Sequence, residues 1–158
     1  MKWSGVRAGP ANTKHQQKEE KRIMKQETIV VMHEVAERSH AGTISFPEVV
    51  GKLTQAGVER YHADLCRGER VFYMPSGESH VETTGDKYGD AAVEFSGAGV
   101  DAAVRTIQRG EIDYQEFVRR ILAAGCVNYF VYITGRQTLY YGRNGDVHVE
   151  KFPAPKKD

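Results

Sequence analysis

The sequence predicts an α+β protein in which one unit, two helices followed by three antiparallel strands, occurs twice. Residues 42–82 and 110–150 align without a gap and share 12 identities in 41 positions, whereas unrelated segments would share roughly two or three. In each copy, apolar residues first recur with the helical period and then alternate between glycine-containing turns. We therefore expect an internal duplication with pseudo-two-fold symmetry. The expected single domain covers residues 17–152, with units at about 17–83 and 98–152 and a connector at 84–97.

The second helix of each unit has the clearest start signal. Ser45 and Asp113 are each followed three positions later by glutamate, which is the pattern of a capping box. The apolar stripe that follows has helical spacing and predicts that Leu53 and Ile121 are buried. The first helix of each unit is expected at about residues 17–38 and 100–109, the later one capped by Gly99 or Asp101.

Glycines mark where the elements end. Gly57 and Gly125 follow the second helices, at a position that commonly adopts a positive φ. Asn144-Gly145 is typical of a two-residue type I′ hairpin turn, and we assume two-residue loops throughout. The expected turns are 67–68 and 76–77 in the first unit and 135–136 and 144–145 in the second, with second-unit strands at about 127–134, 138–142 and 146–151.

The charge distribution argues against a nucleic-acid-binding face. The chain has 22 Lys and Arg against 21 Asp and Glu, but the basic excess is concentrated in the first 26 residues. We expect a disordered basic tail at residues 1–16 and a short second tail at 153–158. No apolar run approaches a membrane span, and no signal-peptide core is present. With Cys66 and Cys126 expected as free thiols, the sequence predicts a cytoplasmic protein without membrane contact.

One sheet face of the first unit is predicted to collect polar side chains. In the assumed register these are Arg60, His62, Asp64, Tyr73, His80 and Glu82, with Tyr141, His148 and Glu150 as second-unit counterparts. Imidazole and carboxylate ligands suit zinc, iron or manganese, and a His–carboxylate pair suits acid/base chemistry. Arginine with histidine would suit a small anionic ligand. The remaining interpretations are the solvated face of an antiparallel sheet and, for His148 beside Tyr141, a structural pair across the hairpin.

Two segments carry a resemblance to a known family. They are AAGCVNYFVYITGRQTLYYGRNGDVHVEKFP at 123–153 and FPEVVGKLTQAGVERYHADL at 46–65. The chain resembles, over about residues 28–153, the YbcV-like family of small bacterial proteins of unknown function, sometimes labelled phage envelope protein. The resemblance implies a bacterial, phage-related protein and carries no catalytic or binding residues with it.

No motif in the sequence names a reaction or a cofactor. The first hypothesis is therefore a non-enzymatic binding or interaction protein, with another protein or a small anionic ligand as its partner and a homodimer if one sheet face is apolar. The second is a small metal-dependent or acid/base hydrolase that uses His62, Asp64, His80 and Glu82. A phage-related structural protein is a further alternative, from the resemblance alone.

Overall fold

A computed structural model describes residues 24–85 and 87–154, and within them it shows four α-helices and one six-stranded antiparallel sheet. The elements follow the predicted order: α1 (Gln26–His40), α2 (Phe46–Gln55), β1 (Arg60–Asp64), β2 (Glu69–Tyr73), β3 (Ser79–Thr83), α3 (Gly97–Gln108), α4 (Tyr114–Ala123), β4 (Cys126–Tyr132), β5 (Gln137–Gly142) and β6 (Val147–Lys151). The α+β class is confirmed. The predicted basic tail, the start of the predicted first helix and residues 155–158 lie outside the described residues.

Side-chain caps fix where three of the helices begin. The caps predicted at Ser45 and Asp113 are confirmed, since each side chain accepts the backbone N–H of the third following residue, at 3.3 and 2.8 Å. The cap of α3 is Ser96, whose Oγ accepts the N–H of Gly99 at 3.0 Å. The predicted cap at Gly99 or Asp101 is wrong, because the serine hydroxyl three residues earlier satisfies a free N–H of the first turn.

All six strands form one continuous sheet in the order β3-β2-β1-β4-β5-β6. The units meet where β1 pairs antiparallel with β4, and His62 lies opposite Phe130, its counterpart in the sequence alignment. Two like units side by side would give this strand order. The internal duplication and its pseudo-two-fold axis stay predictions.

The second turn of each unit is longer than the two residues predicted. In the second unit the N–H of Gly142 donates to the oxygen of Asp146 at 2.8 Å, and the N–H of Gly145 donates to the oxygen of Gly142 at 3.1 Å. These bonds close a loop of three residues, of which only the glycine has a positive φ. Residues 75–77 form the same loop in the first unit. This is the three-residue hairpin, a type I turn followed by a left-handed glycine, rather than a type I′ turn.

The extra turn residue reverses the face on which every side chain of β3 and β6 lies, because side chains alternate along a strand. With two-residue turns Val81, Val147 and Val149 would share a face with Tyr61 and Tyr129, but with three-residue turns all three lie on the opposite face. The residues predicted on that opposite face, His80, Glu82, His148 and Glu150, point to the helix side instead.

The first turn of each unit has four loop residues, not two. This even difference keeps the predicted faces of β2 and β5 but moves the pairing by two residues. His62 therefore lies opposite Val71 instead of Tyr73, and Tyr73 lies opposite Arg60. His62, Tyr73 and His80 of the predicted patch therefore do not lie side by side across the strands.

The helices cover one face of the sheet and build the core there. Leu53 and Ile121 are both fully buried, as predicted, and they belong to one core cluster with the fully buried Phe72 of β2. Each such side chain contributes about 1.5–3 kcal/mol by burial. The other face, which we call the open face, has half-buried and exposed side chains, and no described helix packs on it.

Two further expectations concern the thiols and the membrane. Cys66 is exposed, Cys126 is buried, and both are free, as predicted. In the part of the chain that the structure describes, no helix has the length and apolar character needed to cross a membrane. The cytoplasmic location stays a prediction.

Candidate interaction surface and flanking ion-pair clusters

Three rows of side chains run across all six strands on the open face. The strand register places side by side Val81, Val71, His62, Phe130, Leu139 and Val149, which we call the central row. The Arg60 row beside it holds Ser79, Tyr73, Arg60, Tyr132, Gln137 and Lys151. The Asp64 row on the other side holds Thr83, Glu69, Asp64, Asn128, Tyr141 and Val147. One flanking row is thus basic and the other acidic.

Aromatic rings fill the middle of the open face. His62 and Phe130 stack across the β1–β4 junction with ring centroids 4.5 Å apart. Phe130 also stacks with Tyr132 at 5.7 Å and meets the edge of Tyr141 at 6.4 Å. Such contacts hold aromatic side chains in fixed orientations, so the centre of this face is preorganised.

The histidine of the central row is neutral. The side-chain amide of Asn128 donates to Nε2 of His62 at 3.0 Å, so this nitrogen acts as an acceptor and carries no proton. Burial lowers the pKa of His62, and the opposite influence of Asp64 is weaker. The central row therefore carries no charge at neutral pH.

The outer ends of the open face expose apolar surface. Val81 is 49% exposed and Val149 is 46% exposed, at opposite ends of the central row, and Val147 is 47% exposed beside it. These three are half of the six large hydrophobic side chains that stand exposed among the described residues. The exposure is therefore concentrated on this face.

An ion-pair cluster on the helix side joins α1 to the edge strand β3. Glu82 accepts from Nδ1 of His33 at 2.9 Å and from Nε2 of His80 at 2.7 Å. The hydrogen bond to Glu82 raises the pKa of His33. Burial alone would raise the pKa of Glu82, but its hydrogen bonds to His33 and His80 outweigh burial and hold it below the ordinary value.

A second cluster joins α3 to the other edge strand, β6. Ligand atoms of Asp101, His148 and Glu150 lie within 4.8 Å of one another, the one group of metal-ligand type found in the described residues. However, the guanidinium of Arg105 donates to Glu150 at 3.0 Å and pairs with Asp101 at 3.3 Å. A metal ion would have to displace that guanidinium, so we assign the cluster to fastening the helix to the strand.

The predicted patch is divided between the two faces of the sheet. Arg60, His62, Asp64 and Tyr73 lie on the open face, together with Tyr141, whereas His80, Glu82, His148 and Glu150 belong to the two helix-side clusters. His62 and Asp64 therefore cannot share one metal ion with His80 and Glu82, and the hydrolase site predicted from these four residues is not assembled. The predicted pairing of His148 with Tyr141 is also wrong, since His148 lies opposite Tyr140.

The central row could not be predicted on the assumption of two-residue turns. Val81 and Val149 lie on the same face as Phe130 and Leu139 only when each second turn has three residues. The available signal was the lone glycine at the end of each turn, since a three-residue loop requires one left-handed residue and a type I′ turn requires two.

Comparison with known proteins adds no assignment. No protein-family model matches the chain, and no curated protein matches it. The resemblance to the YbcV-like family, and the phage-related structural role that comes with it, stay predictions.

Proposed function

We propose that this protein is a non-enzymatic interaction protein and that its binding surface is the open face of the sheet. The supporting observation is the central row, six uncharged side chains in register across six strands with nearly half-exposed valines at both ends. Contiguous apolar surface rimmed by polar residues is typical of protein-binding sites. The fixed aromatic centre adds the kind of anchor that dominates binding energy at such sites.

The charges that flank the central row favour a second copy of this chain as the partner. A two-fold axis along the central row reverses the strand direction, so the Arg60 row of one copy lies over the Asp64 row of the other. Arg60 then faces Asp64 of the second copy, because both residues belong to β1. An axis along the strands would instead place β1 over β4, so that Arg60 faces Tyr132 and Asp64 faces Asn128 of the second copy, and no opposite charges would meet.

The size of the open face limits the strength of this association. Six strands roughly 4.8 Å apart and five residues of roughly 3.3 Å each cover roughly 400 Å² in flat projection. Stable interfaces bury about 800 Å² of accessible surface per partner. Because side chains project from the sheet, the accessible surface of the open face is larger than its flat projection, and it approaches this value without greatly exceeding it. We therefore expect a reversible dimer that dissociates on dilution.

Sedimentation velocity over a wide range of protein concentrations tests the proposal. The wild type should shift from monomer to dimer as concentration rises, and Val149→Lys should remain monomeric because it places a charge in the apolar row. Val30→Lys is the matched control, since Val30 is 55% exposed on the far side of α1. A wild type that is monomeric throughout, or equal behaviour of the two variants, would rule out association through this face.

The orientation has its own test. With the axis along the central row, position 149 of one copy faces position 149 of the other, about 10 Å away across packed sheets. Val149→Cys in a Cys66→Ser background should therefore be joined into dimers by a short bifunctional thiol reagent, and Val30→Cys should not. Cross-linking only in a mixture of Val149→Cys with Val81→Cys would assign the axis to the strand direction instead.

A further inference from the structure

The helix-covered face contains an arginine without a counter-charge. Arg70 is 4% exposed, and its Nη1 has no hydrogen-bond partner. None of the ion pairs among the described residues includes Arg70, and the groups that influence its charge are tyrosines, with Tyr114 as its side-chain hydrogen-bond partner. Arginines are almost never fully buried unless they are paired, and an unpaired buried charge is costly. Arg70 is absent from the predicted patch, although its spacing of two residues from Phe72 on β2 places it on the core face.

The nearest carboxylates are engaged elsewhere. Glu82 lies opposite Arg70 in the strand register but is bound by His33 and His80. Asp64 and Glu69 line a small hollow that Arg70 also lines. Asp64 accepts two backbone N–H groups of the following turn, and Glu69 accepts two bonds from the side chain of Arg67.

Tyrosines surround the guanidinium without neutralising it. The guanidinium carbon of Arg70 lies 4.7 Å from the ring centre of Tyr114 and 5.7 Å from that of Tyr61. The hydroxyls of Tyr114 and Tyr129 are hydrogen-bonded to each other at 2.8 Å. Burial raises the pKa of Tyr61 to about 12 and that of Tyr129 well above its ordinary value. Both hydroxyls are therefore neutral near pH 7 and act as donors rather than as counter-ions.

A cavity of about 80 Å³ adjoins these groups. A single water needs roughly 10–15 Å³ of such volume, so the cavity has room for a group of several heavy atoms. Its polar lining includes Arg70, Tyr114 and Tyr129, and its apolar walls include Val49 and Phe117. Phe46 also lines it and is 44% exposed, so the cavity reaches the surface at the start of α2.

We infer that this cavity is a binding site for a small aliphatic monocarboxylate. A carboxylate would accept from the unpartnered edge of the Arg70 guanidinium and from a tyrosine hydroxyl. The apolar walls suit a short alkyl chain, whereas a phosphate or sulfate would leave several oxygens without donors. The site lies on the opposite side of the sheet from the open face, so this inference stands independently of the proposed association.

Thermal unfolding with acetate, propionate and butyrate, against sodium chloride and sodium sulfate at equal ionic strength, tests the inference. Carboxylate should raise the Tm of the wild type saturably, by about 5–10 °C at a hundredfold excess over Kd. Arg70→Met should abolish that rise. Arg109→Met should retain it, since Arg109 is exposed at the end of α3, pairs with Glu111 and belongs neither to the cavity lining nor to the open face.

Three outcomes would overturn the site: no carboxylate-dependent rise in the wild type, an equal rise with chloride or sulfate, or an undiminished rise in Arg70→Met. If Arg70→Met does not fold, Tyr114→Phe provides the second test. That variant keeps the ring and the cavity wall but removes one donor, so the carboxylate concentration at half-maximal shift should increase severalfold. Titration of the wild type with carbon-13 labelled acetate, followed by NMR, detects binding without any variant.

Discussion

Gly57 and Gly125 occupy the same position in the two units, yet their replacement by alanine should have unequal effects. Both follow a helix, with φ of +80° and +85°. A Cβ on Gly57 would meet nothing closer than the flexible end of Met74, at 3.5 Å. A Cβ on Gly125 would lie 2.3 Å from the backbone oxygen of Glu94 and 2.8 Å from its carbonyl carbon. The same mutation is therefore a pure backbone change at one site and a backbone change with a steric clash at the other.

The magnitude follows from separating these two contributions. A left-handed alanine costs about 1–2 kcal/mol at either site, and the smaller entropy of the unfolded alanine chain offsets part of it equally in both. Relief of the clash requires movement of residues 92–96, which are hydrogen-bonded to the end of α4 through Ala92 at 2.9 Å and Ser96 at 2.7 Å. Overpacking against such a segment costs about 1–3 kcal/mol more. Gly125→Ala should therefore unfold about 2–12 °C below Gly57→Ala.

Urea and thermal unfolding of the two variants and the wild type measure this difference directly. Unchanged m-values would show that both variants unfold from the same native state. If the two free energies of unfolding agree within about 0.5 kcal/mol, the backbone oxygen of Glu94 does not restrict position 125 as a separation of 2.3 Å requires. A decrease of more than about 3 kcal/mol in the free energy of unfolding of Gly57→Ala would also contradict this reasoning, since a Cβ at that site would meet only the flexible end of Met74.

Three further predictions concern titrating groups. Burial raises the pKa of the Cys126 thiol to about 12, so a thiol reagent at pH 8 should modify only the exposed Cys66 until the protein unfolds. Rapid modification of both cysteines in the folded protein would contradict this. Burial raises the pKa of the Tyr61 phenol to about 12, so this phenol should remain neutral at pH 11. The stability that it contributes should fall as the pH rises above about 10. Comparison of the absorbance titrations of Tyr61→Phe and the wild type checks the pKa. The pKa of His33 is raised and that of Glu82 is lowered, so their pair stabilises the fold most between pH 4.5 and 6.5, the ordinary pKa values of the two groups. Below this window the stabilisation is lost as Glu82 is protonated, and above it the stabilisation is lost as His33 is deprotonated. The difference in urea midpoint between the wild type and His33→Gln should peak in that window, and a flat difference would exclude the pair.

Local signals in the sequence predicted the elements of the fold correctly. The capping residues Ser45 and Asp113, the glycines that end α2 and α4, and the apolar stripes through Leu53 and Ile121 each depend on neighbours within a few residues. Such interactions are decided inside one helix and need no tertiary partner. The cap of α3 was misplaced by a few residues, because Ser96 stands among several glycines that offer competing starts.

Long-range features were less predictable because they depend on loop length and on packing. A shift of two in the pairing of β1 and β2 separated His62 from Tyr73, and one additional turn residue moved His80 to the other face. Neither error changes the hydrophobic pattern of any single strand. The cavity beside Arg70 needs side chains from both units to meet, which no local pattern contains.

The odd length of the two outer turns has a consequence for how this chain tolerates insertion and deletion. A one-residue change in residues 75–77 would turn β3 over, burying its valine and exposing its histidine and glutamate, whereas a two-residue change would preserve the faces. The four-residue turns between the inner strands obey the same parity. Viable length variants of these hairpins should therefore differ by even numbers of residues, so turn length, and not only turn composition, encodes which chemistry each face of the sheet presents.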